Sequence, residues 1–121
     1  MRMSGAMLFV KDLGKMTAFY RDRIGFRPIL ETSRDDWLEF ETGGAAFALH
    51  AVPRHIADTI EIATPPVARE SQSCKLFFAA DDPEAERARL LAAGVTIIQR
   101  PRGGWDAVDP EGNIFAVRGS S

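Results

Sequence analysis

The stretch Gly44-Ala45-Ala46-Phe47-Ala48-Leu49 is matched later in the chain by Gly112-Asn113-Ile114-Phe115-Ala116-Val117. Both stretches combine small and aromatic residues in the same order. A segment that begins with aspartate and ends with glycine precedes each of them, at 12–25 and at 81–94. This common order and spacing indicate that the two halves of the chain are copies of one ancestral unit.

Each half is predicted to fold as a strand, a helix and three further strands. In the first half, Met16, Phe19 and Tyr20 share one helical face, Asp12 is the expected N-cap and Gly25 the expected left-handed stop. Short apolar or alternating segments predict the strands. They are expected at 7–10, 27–31, 37–41 and 46–51, and in the second half at 75–80, 95–100, 104–108 and 113–118.

The second half carries its own boundary signals. Asp82 and Pro83 predict a helix start, Gly94 predicts its end, and 109–112 has the composition of a turn. The halves are joined by a proline-containing segment with little periodicity, and a connection of this length is usually functional or mobile. We expect one α+β domain over 1–121, with module one at 5–51, a linker at 52–73 and module two at 74–119.

Composition limits the classes of function. The chain has 121 residues, of which 45% are hydrophobic and 26% charged, as is typical of a core-forming soluble protein. The single cysteine, Cys74, excludes a disulfide framework or a cysteine-rich zinc site and fits a reducing cytoplasm. A net charge of −2 argues against binding to nucleic acid or to a membrane surface. The longest apolar runs are far too short to span a bilayer.

Two further motifs carry a family resemblance. The residues Val10-Lys11-Asp12-Leu13, Phe19-Tyr20 and Ile24-Gly25-Phe26 resemble the first-module signature of the vicinal oxygen chelate superfamily. Asp109-Pro110-Glu111-Gly112-Asn113 is similar to the turn before its last strand. This superfamily includes glyoxalases, bleomycin-resistance proteins and extradiol dioxygenases. The resemblance implies two tandem βαβββ modules that form an open U-shaped sheet around a cleft, and a homodimer.

The resemblance also implies a divalent metal held by four inward side chains, one from the first and one from the fourth strand of each module. In this chain those positions fall at Gly5, Ala48, Lys75 and Ala116. Glycine and alanine have no donor atom, and lysine is a cation at neutral pH. We therefore expect neither a metal nor another cofactor, and the small side chains predict additional space.

Lys75 is the first candidate ligand-binding residue. An ammonium group at a metal position could anchor a carboxylate, phosphate or phenolate, although a lysine at a strand end also commonly extends into solvent. Phe77 and Met7 lie two residues inward of Lys75 and Gly5, so in this register both side chains face the cleft. They could line a ligand-binding space or simply fill the cleft.

His50 and two tryptophans complete the candidates. His50 shares a strand face with Ala48 and could act as a general base or hydrogen-bond donor, or be an ordinary histidine at a strand end. A relocated metal site that uses His50 with Glu39 or Glu41 stays open. Trp37 and Trp105 are expected at equivalent positions, where they could stack on a flat ligand or pack in a core or dimer interface.

Three hypotheses about function follow. The first is a metal-independent protein that binds a small planar or anionic molecule in the cleft. The second is a metal-dependent lyase, isomerase or dioxygenase of the same superfamily with relocated ligands. The third is a non-catalytic structural or regulatory dimer. In all three we expect a cytoplasmic homodimer, and in the first a small-molecule partner.

Overall fold

The computed structural model describes residues 1–120, which form two compact units divided in sequence after Glu61. The first unit contains β1 (Gly5–Val10), α1 (Leu13–Ala18) with a π-helical continuation (Phe19–Ile24), β2 (Arg27–Arg34), β3 (Trp37–Glu41), β4 (Ala46–Ala51) and α2 (Arg54–Ala57). The second contains β5 (Leu76–Ala80), α3 (Pro83–Ala92), β6 (Thr96–Gln99), β7 (Trp105–Val108) and β8 (Ile114–Gly119). The short helix α2 lies in the linker, which was expected to be irregular.

The two units have the same sheet topology. The strand order is β1-β4-β3-β2 in the first unit and β5-β8-β7-β6 in the second. β1 runs parallel to β4, and β5 runs parallel to β8. The other neighbouring strands are antiparallel. The predicted α+β class with two tandem βαβββ modules is therefore confirmed.

One face of the first sheet packs against its helix. Met16, Phe19 and Tyr20 are buried as their spacing predicted, and the Tyr20 and Phe47 rings meet edge to face with centroids 5.0 Å apart. Asp12 caps α1 by accepting a hydrogen bond from the backbone N–H of Lys15. Because side chains alternate along a strand, the neighbours of Phe47 lie on the opposite face.

The second sheet repeats this arrangement. Leu90 of α3 is buried, as are Trp105 and Phe115, whose side chains share one sheet face. Asp82 caps α3 through the backbone N–H of Ala85, and Pro83 is its first residue. These start signals are confirmed. Within residues 1–120, no helix is long and apolar enough to span a bilayer.

The turn before β8 is held by a buried carboxylate. Asp109 accepts hydrogen bonds from the backbone N–H groups of Glu111 and Asn113 at 2.9 and 3.0 Å. Arg69 of the linker donates from its backbone N–H to the carbonyl of Gly112, also at 2.9 Å. The turn thus fixes the position of the linker that precedes β5.

Gly112 is required there for two reasons. Its φ is +88°, and a Cβ would lie 2.5 Å from the carbonyl oxygen of Val67. Gly103 has a similar φ of +90°, but a Cβ at that position would have no other atom within 4 Å. A side chain at position 103 would cause backbone strain alone, whereas one at position 112 would cause backbone strain and a steric conflict.

We expect Gly103→Ala to lower the free energy of unfolding by about 1–2 kcal/mol, the usual cost of a left-handed residue with a side chain. Gly112→Ala should lower it by more than about 3 kcal/mol, because the linker must also move away from the turn. Urea unfolding of both variants measures the difference. Equal losses of unfolding free energy in the two variants would show that the linker does not conflict sterically with a side chain at position 112.

Candidate functional site

In each sheet, the face opposite to that of Phe47 or Phe115 is called the second face here. Its residues lie in rows that cross the strands. In the second unit, Phe77 lies beside Ala116, Ala116 beside Asp106 and Asp106 beside Ile98. In the first unit the corresponding row is Met7, Ala48, Glu39 and Ile29. Side chains of directly paired residues project from the same face. Asp106 is therefore the structural counterpart of Glu39.

Asp106 organises the polar part of the second unit. Its side chain is only 4% exposed, and Lys75 Nζ lies 2.8 Å from both of its carboxylate oxygens. Arg100 Nε donates to Asp106 Oδ2 at 2.7 Å, and Arg100 Nη1 lies 3.1 Å from the carboxylate of Glu70. The hydrogen bond with Asp106 raises the pKa of Arg100, whose guanidinium is charged at neutral pH in any case. A nearly buried carboxylate thus holds two cations in place.

A cavity adjoins this cluster. Its volume is about 290 Å³, close to the lower limit of small-molecule pockets, roughly 300–1,000 Å³. The linker supplies one wall and the second sheet the other. The lining residues are Arg69, Glu70, Gln72, Ser73, Cys74, Lys75, Arg100, Asp106 and Ile114.

Lys75 is bound to a carboxylate of its own sheet. It directly precedes β5, and its side chain is 39% exposed but bound to Asp106 instead of extending freely into solvent. Its candidate role as an anchor for an anion remains a prediction. Phe77 and Met7 lie on the second face as expected, with exposed fractions of 55% and 37%.

The residues at the four positions where the resemblance implies metal ligands do not fit a metal ion. A side chain at position 5 would place its Cβ 2.5 Å from the carbonyl oxygen of Ala46, so the predicted free space at Gly5 is wrong. Ala48 and Ala116 are buried and lack donor atoms. The cation of Lys75 opposes a second cation electrostatically. Across residues 1–120, no group of three or more histidine, cysteine, aspartate or glutamate side chains could hold a metal.

An aromatic cluster lies on the second face of the first unit. Phe9, His50 and Trp37 are neighbours in one row, and the His50 ring centroid is 5.7 Å from Phe9 and 5.5 Å from Trp37. His50 Nε2 lies 3.3 Å from Asp36 Oδ2. Glu39 accepts a hydrogen bond from Trp37 Nε1 at 3.1 Å. His50 is thus held between two aromatic rings and a carboxylate.

The expected equivalence of the two tryptophans is wrong. Trp105 pairs with Gln99 and directly precedes Asp106, so it lies on the opposite face from Asp106. Trp37 lies on the same face as Glu39, the counterpart of Asp106. Trp105 is 6% exposed and belongs to the core of its sheet. One residue of slip between the repeats produces this change of face.

Sequence reasoning missed Asp106 and Arg100. A signal was present, because Asp106 is the single acidic residue inside the strand predicted at 104–108. A carboxylate in a core strand must find a partner there. The partners come from 6 and 31 residues away in sequence, which the strand pattern does not reveal.

We expect Asp106→Asn to lower the free energy of unfolding by about 2–3 kcal/mol, because Lys75 and Arg100 lose their shared anion and repel each other. Glu70→Gln is the matched control, since Glu70 pairs with Arg100 on the surface and should contribute no more than about 1 kcal/mol. Urea unfolding at neutral pH compares the two variants. A loss at Asp106 as small as that at Glu70 would contradict the organising role.

The tandem βαβββ architecture defines the class of protein, and comparison with known sequences then assigns the family. The sequence profile of the Glyoxalase/Bleomycin resistance protein/Dioxygenase superfamily matches residues 2–117. The chain belongs to this superfamily, as its motifs indicated. A comparison with curated protein sequences finds no match.

Several solved structures share the fold. A protein of unknown function from Agrobacterium tumefaciens str. C58 is 28% identical with a TM-score of 0.70, covering 100% of this chain and 95% of that chain. A glyoxalase/bleomycin resistance protein/dioxygenase family enzyme from Burkholderia phytofirmans PsJN is 25% identical with a TM-score of 0.64, covering 94% of each. TnmS3, an antibiotic binding protein from Streptomyces sp. CB03234, is 24% identical with a TM-score of 0.66, covering 100% and 97%.

Proposed function

We propose that this protein binds a small planar or anionic molecule without the help of a metal ion. The observation that carries the proposal is that Gly5, Ala48, Lys75 and Ala116, where the resemblance implies metal ligands, have side chains that cannot coordinate a metal. At one of them, Lys75 instead brings a positive charge next to Arg100. These cations attract an anionic ligand group, which is what the metal does in metal-dependent members of the family.

The first unit supplies features suited to a flat ligand. Trp37 and His50 are partly exposed, and Phe9 is 65% exposed on the same face. Aromatic side chains stack on planar groups with little loss of conformational freedom. One structural neighbour is an antibiotic binding protein, so a binding role is compatible with the fold.

The proposal includes a second copy of the chain and a cytoplasmic location. β1 and β5 are edge strands, and each carries an exposed aromatic residue, Phe9 at 65% and Phe77 at 55%. Exposed apolar surface at a sheet edge favours association between chains. The exposed, free thiol of Cys74 is typical of a reducing compartment.

Metal analysis of the purified protein tests the metal-independent part. We expect Ni, Zn, Mn and Fe each at far below one atom per chain, and no shift of the thermal unfolding midpoint on addition of EDTA. A stoichiometric metal would support the second hypothesis, an enzyme with relocated ligands. His50, Asp36 and Glu39 would then be the first residues to substitute, since they share one region of the first unit.

Tryptophan fluorescence tests the binding part. A planar ligand stacked beside Trp37 should quench the emission of the natural protein, and Trp37→Phe should abolish most of the response. Trp105→Phe is the matched control, because Trp105 lies in the core of the second unit and should leave the ligand response intact. Quenching that survives Trp37→Phe would contradict a role of this aromatic cluster. If no planar or anionic compound shifts fluorescence or thermal stability, the structural or regulatory hypothesis gains support.

A further inference from the structure

We propose that the cavity between the linker and the second sheet is a site for a small monocarboxylate, held by Lys75 and Arg100. This inference rests on the proposed binding function and gives it a location and a ligand class. The site lies wholly within the second unit. It involves Arg100 and Gln72, which the family's metal positions do not include.

The charges around the cavity favour a monoanion. Three basic side chains and two acidic ones line it, which leaves one positive charge uncompensated. One negative charge on the ligand would balance the site, whereas a doubly charged phosphate would leave it negative. The cavity is small, so these charges act on a bound ligand over short distances.

The two cations retain donors for a ligand. An ammonium has three N–H groups and a guanidinium five, and the contacts with Asp106 and Glu70 use only part of them. Asp106 is nearly buried, and both of its oxygens already face Lys75. It therefore orients the cations and leaves their remaining donors available. A carboxylate can accept from both at once, and charge-assisted hydrogen bonds of this kind are strong.

Gln72 also lines the cavity, although its amide does not bind the carboxylate directly. Its Oε1 is buried and has no hydrogen-bond partner within residues 1–120, while its Nε2 donates to Cys74 Sγ at 3.4 Å. This oxygen is an acceptor, as a carboxylate is, so its partner would be a donor such as a water molecule and not the anion itself. Ile114 contributes an apolar surface to the same wall.

Cys74 makes the site measurable, because it is the only cysteine, is exposed and lines the cavity. We expect benzoate to slow the alkylation of Cys74 by iodoacetamide in a saturable way, measured by intact mass. Benzamide, which has nearly the same shape without the charge, should protect at least about tenfold more weakly. Inorganic phosphate should protect less than benzoate, and equal protection by phosphate would overturn the assignment to a monocarboxylate. Equal protection by benzamide would overturn the role of charge.

Variants test the two cations. Lys75→Gln and Arg100→Gln should each weaken benzoate protection at least about tenfold, and Lys75→Arg should restore most of it. Arg23→Gln removes the same charge from an exposed position in the first unit and should have no effect. Unchanged protection in folded Arg100→Gln would overturn the proposal. If a glutamine variant unfolds, the contrast between benzoate and benzamide in the natural protein decides the question.

The quenching, protection and metal measurements together distinguish failure of the carboxylate site from failure of the proposed function. Ligand-dependent quenching of Trp37 without any protection of Cys74 would overturn the carboxylate site and leave metal-independent binding intact. A stoichiometric metal together with charge-dependent protection of Cys74 would overturn metal independence and leave the carboxylate site intact. Absence of both quenching and protection would remove both proposals.

Discussion

The alternation of side chains along each four-stranded sheet is the constraint on which the rest of this structure depends. One face of the first sheet is covered by a helix, and the matching face of the second sheet holds Trp105 and Phe115 in its core. The polar strand residues Glu39, His50 and Asp106 lie on the other face. Because paired residues project together, Glu39 and Asp106 occupy corresponding places beside Ala48 and Ala116. The duplication thus creates two related surfaces, on which different residues have then appeared.

The two surfaces differ in their electrostatics. In the second unit, Asp106 is nearly buried and is neutralised by Lys75 and Arg100 within hydrogen-bond distance. In the first unit, Glu39 is only partly buried and accepts a hydrogen bond from the neutral indole N–H of Trp37. One half therefore presents fixed cations and the other an aromatic surface with a histidine. This difference is the basis of the two binding proposals, an anion in the second unit and a planar ligand in the first.

The fold was predictable from sequence to the level of individual caps and turns. Asp12, Asp82, Gly25 and Gly94 mark helix ends because capping and left-handed backbone are local effects of a few neighbouring residues. The strand pairing places Met7 beside Ala48 and Phe77 beside Ala116, and the expected cleft-lining role of both stays a prediction. The tryptophan prediction failed because it depended on aligning the repeats to within one residue. A single slip reverses the face of a strand residue, and the hydrophobic character of tryptophan suits either face.

Sequence alone determined the element order and the family resemblance, since both depend on residue type and local spacing. Tertiary structure decided which charged residues meet in the second unit. The meeting of Lys75, Arg100 and Asp106 joins residues from three separate parts of the second unit, and the linker wall is positioned by hydrogen bonds to a distant turn. The conflict that keeps position 5 a glycine comes from the close approach of a neighbouring strand. Such contacts arise only when the chain is folded, because they depend on distances between segments that local patterns do not encode.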